Sequence, residues 1–77
     1  MVRVLFFGAT ADAVGVRETS IDAIGISVSD LRDRITAKHP GLASHKLLVS
    51  INHEYAGTDR LLQDGDEVGI FTAVSGG

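Results

Sequence analysis

The sequence predicts an α+β domain in which one main helix packs on one face of a mixed sheet of four or five strands. Three observations carry that prediction. Runs of β-branched and aromatic residues stand near the two ends, at "VRVLFF" and "EVGIFTAV". One stretch, "SVSDLRDRITAKHPG", has helical apolar spacing and recognisable end signals. The 77 residues allow a single thin core, because a chain of this size buries only about 60% of the surface its unfolded form exposes.

In "VRVLFF", Val2, Val4 and Phe6 point one way while Leu5 and Phe7 point the other, so the strand is apolar on both faces. Such a strand is expected to be central. "GATADAVG" has glycines at both ends and room for a turn and one helical turn. "VRETSIDAIG" alternates, which suits a hairpin partner of the first strand with edge character.

In the helical stretch Ser27 caps the backbone, and Asp30 three positions later completes a capping-box-like pattern. Val28, Leu31 and Ile35 form one apolar stripe, and Asp30 with Arg34 is a favourable i,i+4 pair on the wet face. Pro40 disfavours helical geometry at His39 and ends the element.

"KLLVSIN" reads as a third strand, with Leu48 facing away from Leu47, Val49 and Ile51. "HEYAGTDRLLQDGDE" is turn and irregular structure with room for a short strand, and Asp64-Gly65-Asp66 is a tight turn before the last strand. The resulting β-β-α-β-β order is that of the β-grasp fold, whose first and last strands lie parallel and adjacent; that step is an analogy of architecture. Residues 1–77 are expected to form one domain, with 74–77 a flexible functional tail.

Composition removes several functional classes. There are no cysteines, so disulfides, thiolate zinc sites and iron–sulfur clusters are excluded. Seven basic residues are dispersed among ten acidic ones at net charge −3, which argues against a nucleic-acid surface. The apolar run after Arg3 is short for a signal-peptide core and nothing is long enough to span a bilayer, so the expectation is a cytoplasmic protein without membrane contact.

His39, His45 and His53 match no standard metal-ligand spacing, so no metal and no bound cofactor is expected. The acidic turn Asp64, Asp66, Glu67 lacks the ligand series of a calcium loop and reads as a solvated turn. There is no nucleophile elbow and no phosphate loop, and the chain alone is not expected to be a catalyst.

Two features are left. Strand parity puts Leu5, Phe7 and Phe71 on the sheet face away from the helix, where an exposed apolar cluster reads as a protein-binding surface. The other is the ending "VSGG". At average glycine usage a chance Gly-Gly pair there has odds of about one in two hundred. A glycine carboxylate has no Cβ beside it, so it can thread a narrow channel and be approached closely by another protein's active site. Activated as an acyl-adenylate it can accept a sulfur nucleophile and become a thiocarboxylate, and no internal thiol competes for it.

"VRVLFFG", "DLRDRI", "VSINHEY", "LQDGDEVGIF" and the terminal "VSGG" recur in order, and together the chain resembles the small, sulfur-carrying subunit of molybdopterin synthase. The resemblance spans essentially the whole chain. It implies a β-grasp, ubiquitin-like fold and a C-terminal Gly77 that an ATP-using, E1-like enzyme adenylates. A persulfide-forming sulfurtransferase then supplies the sulfur of a Gly77 thiocarboxylate. The tail enters the active site of a large catalytic subunit, two small and two large subunits forming a heterotetramer. There sulfur passes to cyclic pyranopterin monophosphate.

By the resemblance, Gly76 allows threading, Val74 and Ser75 lie in the channel, and Phe7 and Phe71 are apolar contact positions. Thr72 and Ala73 stand where the family often has two prolines, and Ala11 where a basic residue is common in the loop after the first strand. The same chemistry could serve thiamine, cysteine or tRNA thiolation. A ubiquitin-like protein modifier and a plain binding module are the other classes open at this point.

Overall fold

A computed structural model describes residues 1–72 of the chain. The order is β1 (Val2–Phe6), α1 (Ala9–Val14), β2 (Glu18–Ile21), α2 (Val28–Lys38), a 3-10 turn (Pro40–Leu42), β3 (Leu47–Ile51), β4 (Glu54–Tyr55) and β5 (Glu67–Thr72). The five strands form one sheet in the order β2-β1-β5-β3-β4. β1 runs antiparallel to β2 and parallel to β5, and β5 runs antiparallel to β3. First and last strands are therefore adjacent and parallel, which is the β-grasp arrangement.

α2 starts as its sequence requires. The Ser27 hydroxyl accepts the Asp30 N–H at 3.1 Å, satisfying one of the open donors of the first turn. The capping box is only half formed, since the Asp30 carboxylate makes no return bond, and Asp30 and Arg34 do not form the expected ion pair. His39 takes an extended φ of −126° ahead of Pro40, and the helix stops there. Val28, Leu31 and Ile35 are buried against Val2, Val4, Phe6, Val68 and Ile70 on one side of the sheet.

α1 is longer than the single turn expected from "GATADAVG", with Gly15 closing it in the left-handed region at φ 86°. Ala11 accordingly sits within a helix, not in a loop. The β3–β4 hairpin turns on two residues, Asn52 and His53, at φ 51° and 73°, the positive pair that a type I′ turn demands. Among the described residues no helix is long and apolar enough to cross a membrane.

Candidate functional site: the sheet face away from the long helix

The register fixes what this second face carries. Leu5 pairs with Gly69, Gly69 with Ser50, and Ser50 with Tyr55, so these four residues make one row across β1, β5, β3 and β4. Phe71 pairs with Leu48 in the adjoining row, and Phe7, one residue beyond β1, stands beside Phe71. The rings of Phe7 and Phe71 stack with centroids 4.7 Å apart and planes 5° from parallel. Tyr55 meets Phe71 edge-on at 6.5 Å. Leu5, Phe7 and Phe71 therefore share the sheet face away from α2, as strand parity predicts.

The groove along these residues has a volume of about 210 Å³ and is bordered also by Ser50, His53 and Glu67. Phe7 is 43% exposed and Tyr55 76%, while Leu5 and Phe71 are half-buried. At the far end of the same face Arg3 donates from Nε and Nη2 to both Glu18 carboxylate oxygens, at 2.8 and 2.9 Å. The surface thus has an aromatic end and a charged end.

Two residues that position the aromatic pair were not singled out from the sequence. Gly69 lies under the rings: a Cβ there would come within 3.0 Å of the Phe71 ring and 3.3 Å of the Phe7 ring. A glycine in mid-strand was the available signal, because it often marks a close approach. Thr10 is fully buried at the start of α1. Its Oγ1 accepts the Phe7 N–H at 3.0 Å and lies 2.7 Å from the Phe7 carbonyl and 3.0 Å from the Ile70 carbonyl, either of which its proton can reach. Nothing in "GATADAVG" distinguishes this threonine from a surface one.

The acidic turn is not simply solvated, as the sequence suggested. Asp66 is buried, and its Oδ2 accepts from Arg60 Nη1 at 3.0 Å and from the Gln63 N–H at 2.8 Å. Asn52 Nδ2 donates to its Oδ1 at 3.0 Å. The Arg60 hydrogen bond is the main reason its carboxyl is held below the usual aspartate range; burial opposes it, and the Gln63 and Asn52 bonds assist. This network ties the β3–β4 turn to the start of β5, since Asn52 Oδ1 also accepts the Glu67 N–H.

His39, His45 and His53 are not brought together, and no group of three metal-ligating side chains occurs among the described residues. His39 packs edge-on against Phe6, and His53 borders the aromatic groove. The sequence-predicted tail residues Val74, Ser75, Gly76 and Gly77 lie outside the described residues.

Residues 4–77 match the model of the ThiS family. The chain is 36% identical to the molybdopterin synthase sulfur carrier subunit of Escherichia coli over the full length of both. It is 35% identical to the human subunit of that name, covering 99% of this chain and 93% of the relative. Among solved structures, the Pyrococcus furiosus protein assigned as molybdopterin converting factor subunit 1 superposes with a TM-score of 0.86 at 28% identity, covering 95% of this chain and 97% of that one. Small archaeal modifier protein 1 of Methanosarcina acetivorans gives 0.80 at 28% identity, with 99% and 95% covered. A chain in the complex of subunits 1 and 2 of molybdopterin-converting factor from Helicobacter pylori gives 0.68 at 25% identity, with 99% and 97% covered.

Proposed function

The chain belongs to the ThiS family, and from that premise we propose that it is the sulfur carrier subunit of a cytoplasmic molybdopterin synthase. The observation that carries this reading is the end-to-end likeness to the Escherichia coli sulfur carrier subunit. The Helicobacter relative was solved with subunit 2 of its converting factor, which supports a large subunit as the main partner here. The chain is then a sulfur-donating subunit, not a catalyst by itself.

The geometry fits that role. Phe7 and Phe71 form an aromatic surface at the end of β5, and Gly77 is six positions beyond Phe71. Six extended residues reach about 20 Å. A partner that grips the aromatic face therefore has the Gly77 carboxylate within range of its active site. In this reading residues 74–77 are the working tail, with Gly76 narrow enough to thread and Val74 and Ser75 lining the approach.

An E1-like enzyme spends ATP to adenylate Gly77, and a sulfurtransferase supplies the sulfur that replaces oxygen. The thiocarboxylate then donates to cyclic pyranopterin monophosphate in the large subunit. No cysteine is present to capture the activated acyl group internally.

Intact-mass measurement after incubation with an E1-like enzyme, ATP and a persulfide donor tests this directly. The expected result is the gain of one sulfur in place of one oxygen, lost when Gly77 is deleted. An unchanged mass with a competent enzyme overturns it. The likeness to small archaeal modifier protein 1 favours a second reading, attachment of Gly77 to lysines of other proteins. A ladder of conjugates in place of the thiocarboxylate would select it.

A further inference from the structure

We propose that the groove between β2 and α2 docks an extended segment of another protein, apolar at alternate positions and flanked by carboxylates. β2 is an edge strand. The Phe6 N–H bonds to the Arg17 carbonyl at 2.8 Å, and bonded pairs alternate along an antiparallel ladder. Arg17, Thr19 and Ile21 therefore turn their backbone groups toward β1, while Glu18 and Ser20 turn theirs outward. Among the described residues no other strand pairs with that outer edge. An edge with open N–H and C=O groups is a template for a further strand.

The side chains next to this edge define what such a strand carries. Thr19 and Ile21 border a groove of about 170 Å³ that Val4, Phe6 and Ile35 also line. This is small beside the roughly 300–1,000 Å³ of ligand clefts, so it suits one or two apolar side chains and not a cofactor. Arg34 and Lys38 stand on its rim, one turn apart on α2. Neither has an ion-pair partner among the described residues, in a chain of net charge −3.

Two open cations beside an apolar groove and a bare strand edge are complementary to an acidic-flanked, apolar strand. A second copy of β2 does not supply those acids. Its Glu18 points to the opposite face of the sheet, where Arg3 already holds it at 2.8 Å. The groove is on the α2 side of the sheet, away from Phe7 and Phe71, so the inference is independent of the sulfur-carrier reading and both surfaces can be engaged together.

The probe is the peptide EEVTVTVEE titrated into the isotope-labelled full chain. Amide shifts are expected at Glu18, Ser20 and Ile21, and the charge-reversed peptide KKVTVTVKK should leave them unmoved. Combining R34E with K38E should weaken binding by about tenfold or more. S20P removes only an outward N–H and so leaves the β1 ladder intact; it should abolish binding with the fold retained. Any of four results overturns the proposal: no binding of the acidic peptide, equal binding of both peptides, affinity untouched by R34E with K38E, or self-association through this edge without peptide capture.

Discussion

The rings of Phe7 and Phe71 lie parallel, 4.7 Å apart, above the bare backbone of Gly69. Neighbouring parallel strands bring the two rings side by side, and the missing side chain at Gly69 lets them settle onto the sheet. Aromatic cover over a strand glycine compensates for the packing that glycine cannot supply. The glycine and the aromatic pair are thus one device, and the sheet face is shaped by it.

Gly69→Ala tests that device. The new Cβ would stand 2.6 Å from Ser50 Oγ and 3.0 Å from the Phe71 ring. Ser50 can turn its hydroxyl aside, but the ring has to lift. We expect a loss of about 1–3 kcal/mol in urea unfolding, the usual cost of overpacking. Ser50→Gly should recover only part of it. Full recovery would locate the whole clash at Ser50 and remove the rings from the argument.

On the proposed sulfur-carrier reading, Phe71→Ala should weaken capture of the large-subunit partner by about 1–3 kcal/mol, the range of a truncated aromatic hot spot. Sulfur loading at Gly77 by an activating enzyme that does not grip this face would be spared. Calorimetry reads the first and intact mass the second. Unchanged affinity in the variant would show that the aromatic face is not the docking surface.

The face itself was legible in the sequence, and the reason is simple periodicity. A strand with apolar residues at both parities has to place Leu5 and Phe7 opposite Val4 and Phe6, whatever the rest of the fold does. The helix was legible for the same kind of reason, through Ser27, the Val28–Leu31–Ile35 stripe and Pro40. Asp66 was not. Its burial depends on Arg60 arriving from an irregular segment and Asn52 from a hairpin, and no local pattern announces that convergence. Arg34 departs from its local pattern in the opposite sense, since i,i+4 spacing permits an ion pair with Asp30 without enforcing one.

Asp66 gives the acid limb of stability a specific origin. Its carboxyl is held below the ordinary aspartate value of about 3.9, chiefly by the Arg60 hydrogen bond. A depressed folded-state value means that the unfolded chain binds the proton more readily. The contribution is therefore present above the unfolded value and is lost as pH falls through the folded one. Asp66→Asn should cost about 1–3 kcal/mol at neutral pH, because Arg60 loses its charged acceptor. Denaturation of both proteins from neutral to acid pH should show that gap closing below roughly pH 4. A gap constant over that range would contradict the assignment.

His53 is held at φ 73°, in the left-handed region, as the second central residue of the β3–β4 turn. Left-handed backbone costs an ordinary residue about 1–2 kcal/mol, and glycine escapes that at an entropic cost of about 0.5–1 kcal/mol. His53→Gly creates the Asn-Gly sequence that such turns favour, and a net gain of about 0.5 kcal/mol in thermal unfolding is expected. Asn52→Gly should do the reverse despite its own φ of 51°, because it discards the side-chain bonds to Asp66 and Glu67.

Thr10 couples the buried interior to the aromatic face. Its hydroxyl is hydrogen-bonded to the Phe7 N–H and lies within reach of the Phe7 and Ile70 carbonyls, so one side chain spans the end of β1 and the run of β5 toward Phe71. Thr10→Val keeps the shape and removes the hydroxyl. The Phe7 N–H retains the Ile70 carbonyl at 3.1 Å, so the loss of stability should stay near 1–2 kcal/mol. The Phe7 N–H would then have one acceptor where it had two, and affinity for the proposed large-subunit partner should fall, though by less than in Phe71→Ala. Calorimetry on both variants decides this: a Thr10→Val protein that is destabilised but binds as tightly as the parent would make Thr10 a purely structural residue, whereas a parallel fall in affinity would establish that it positions Phe7 for docking.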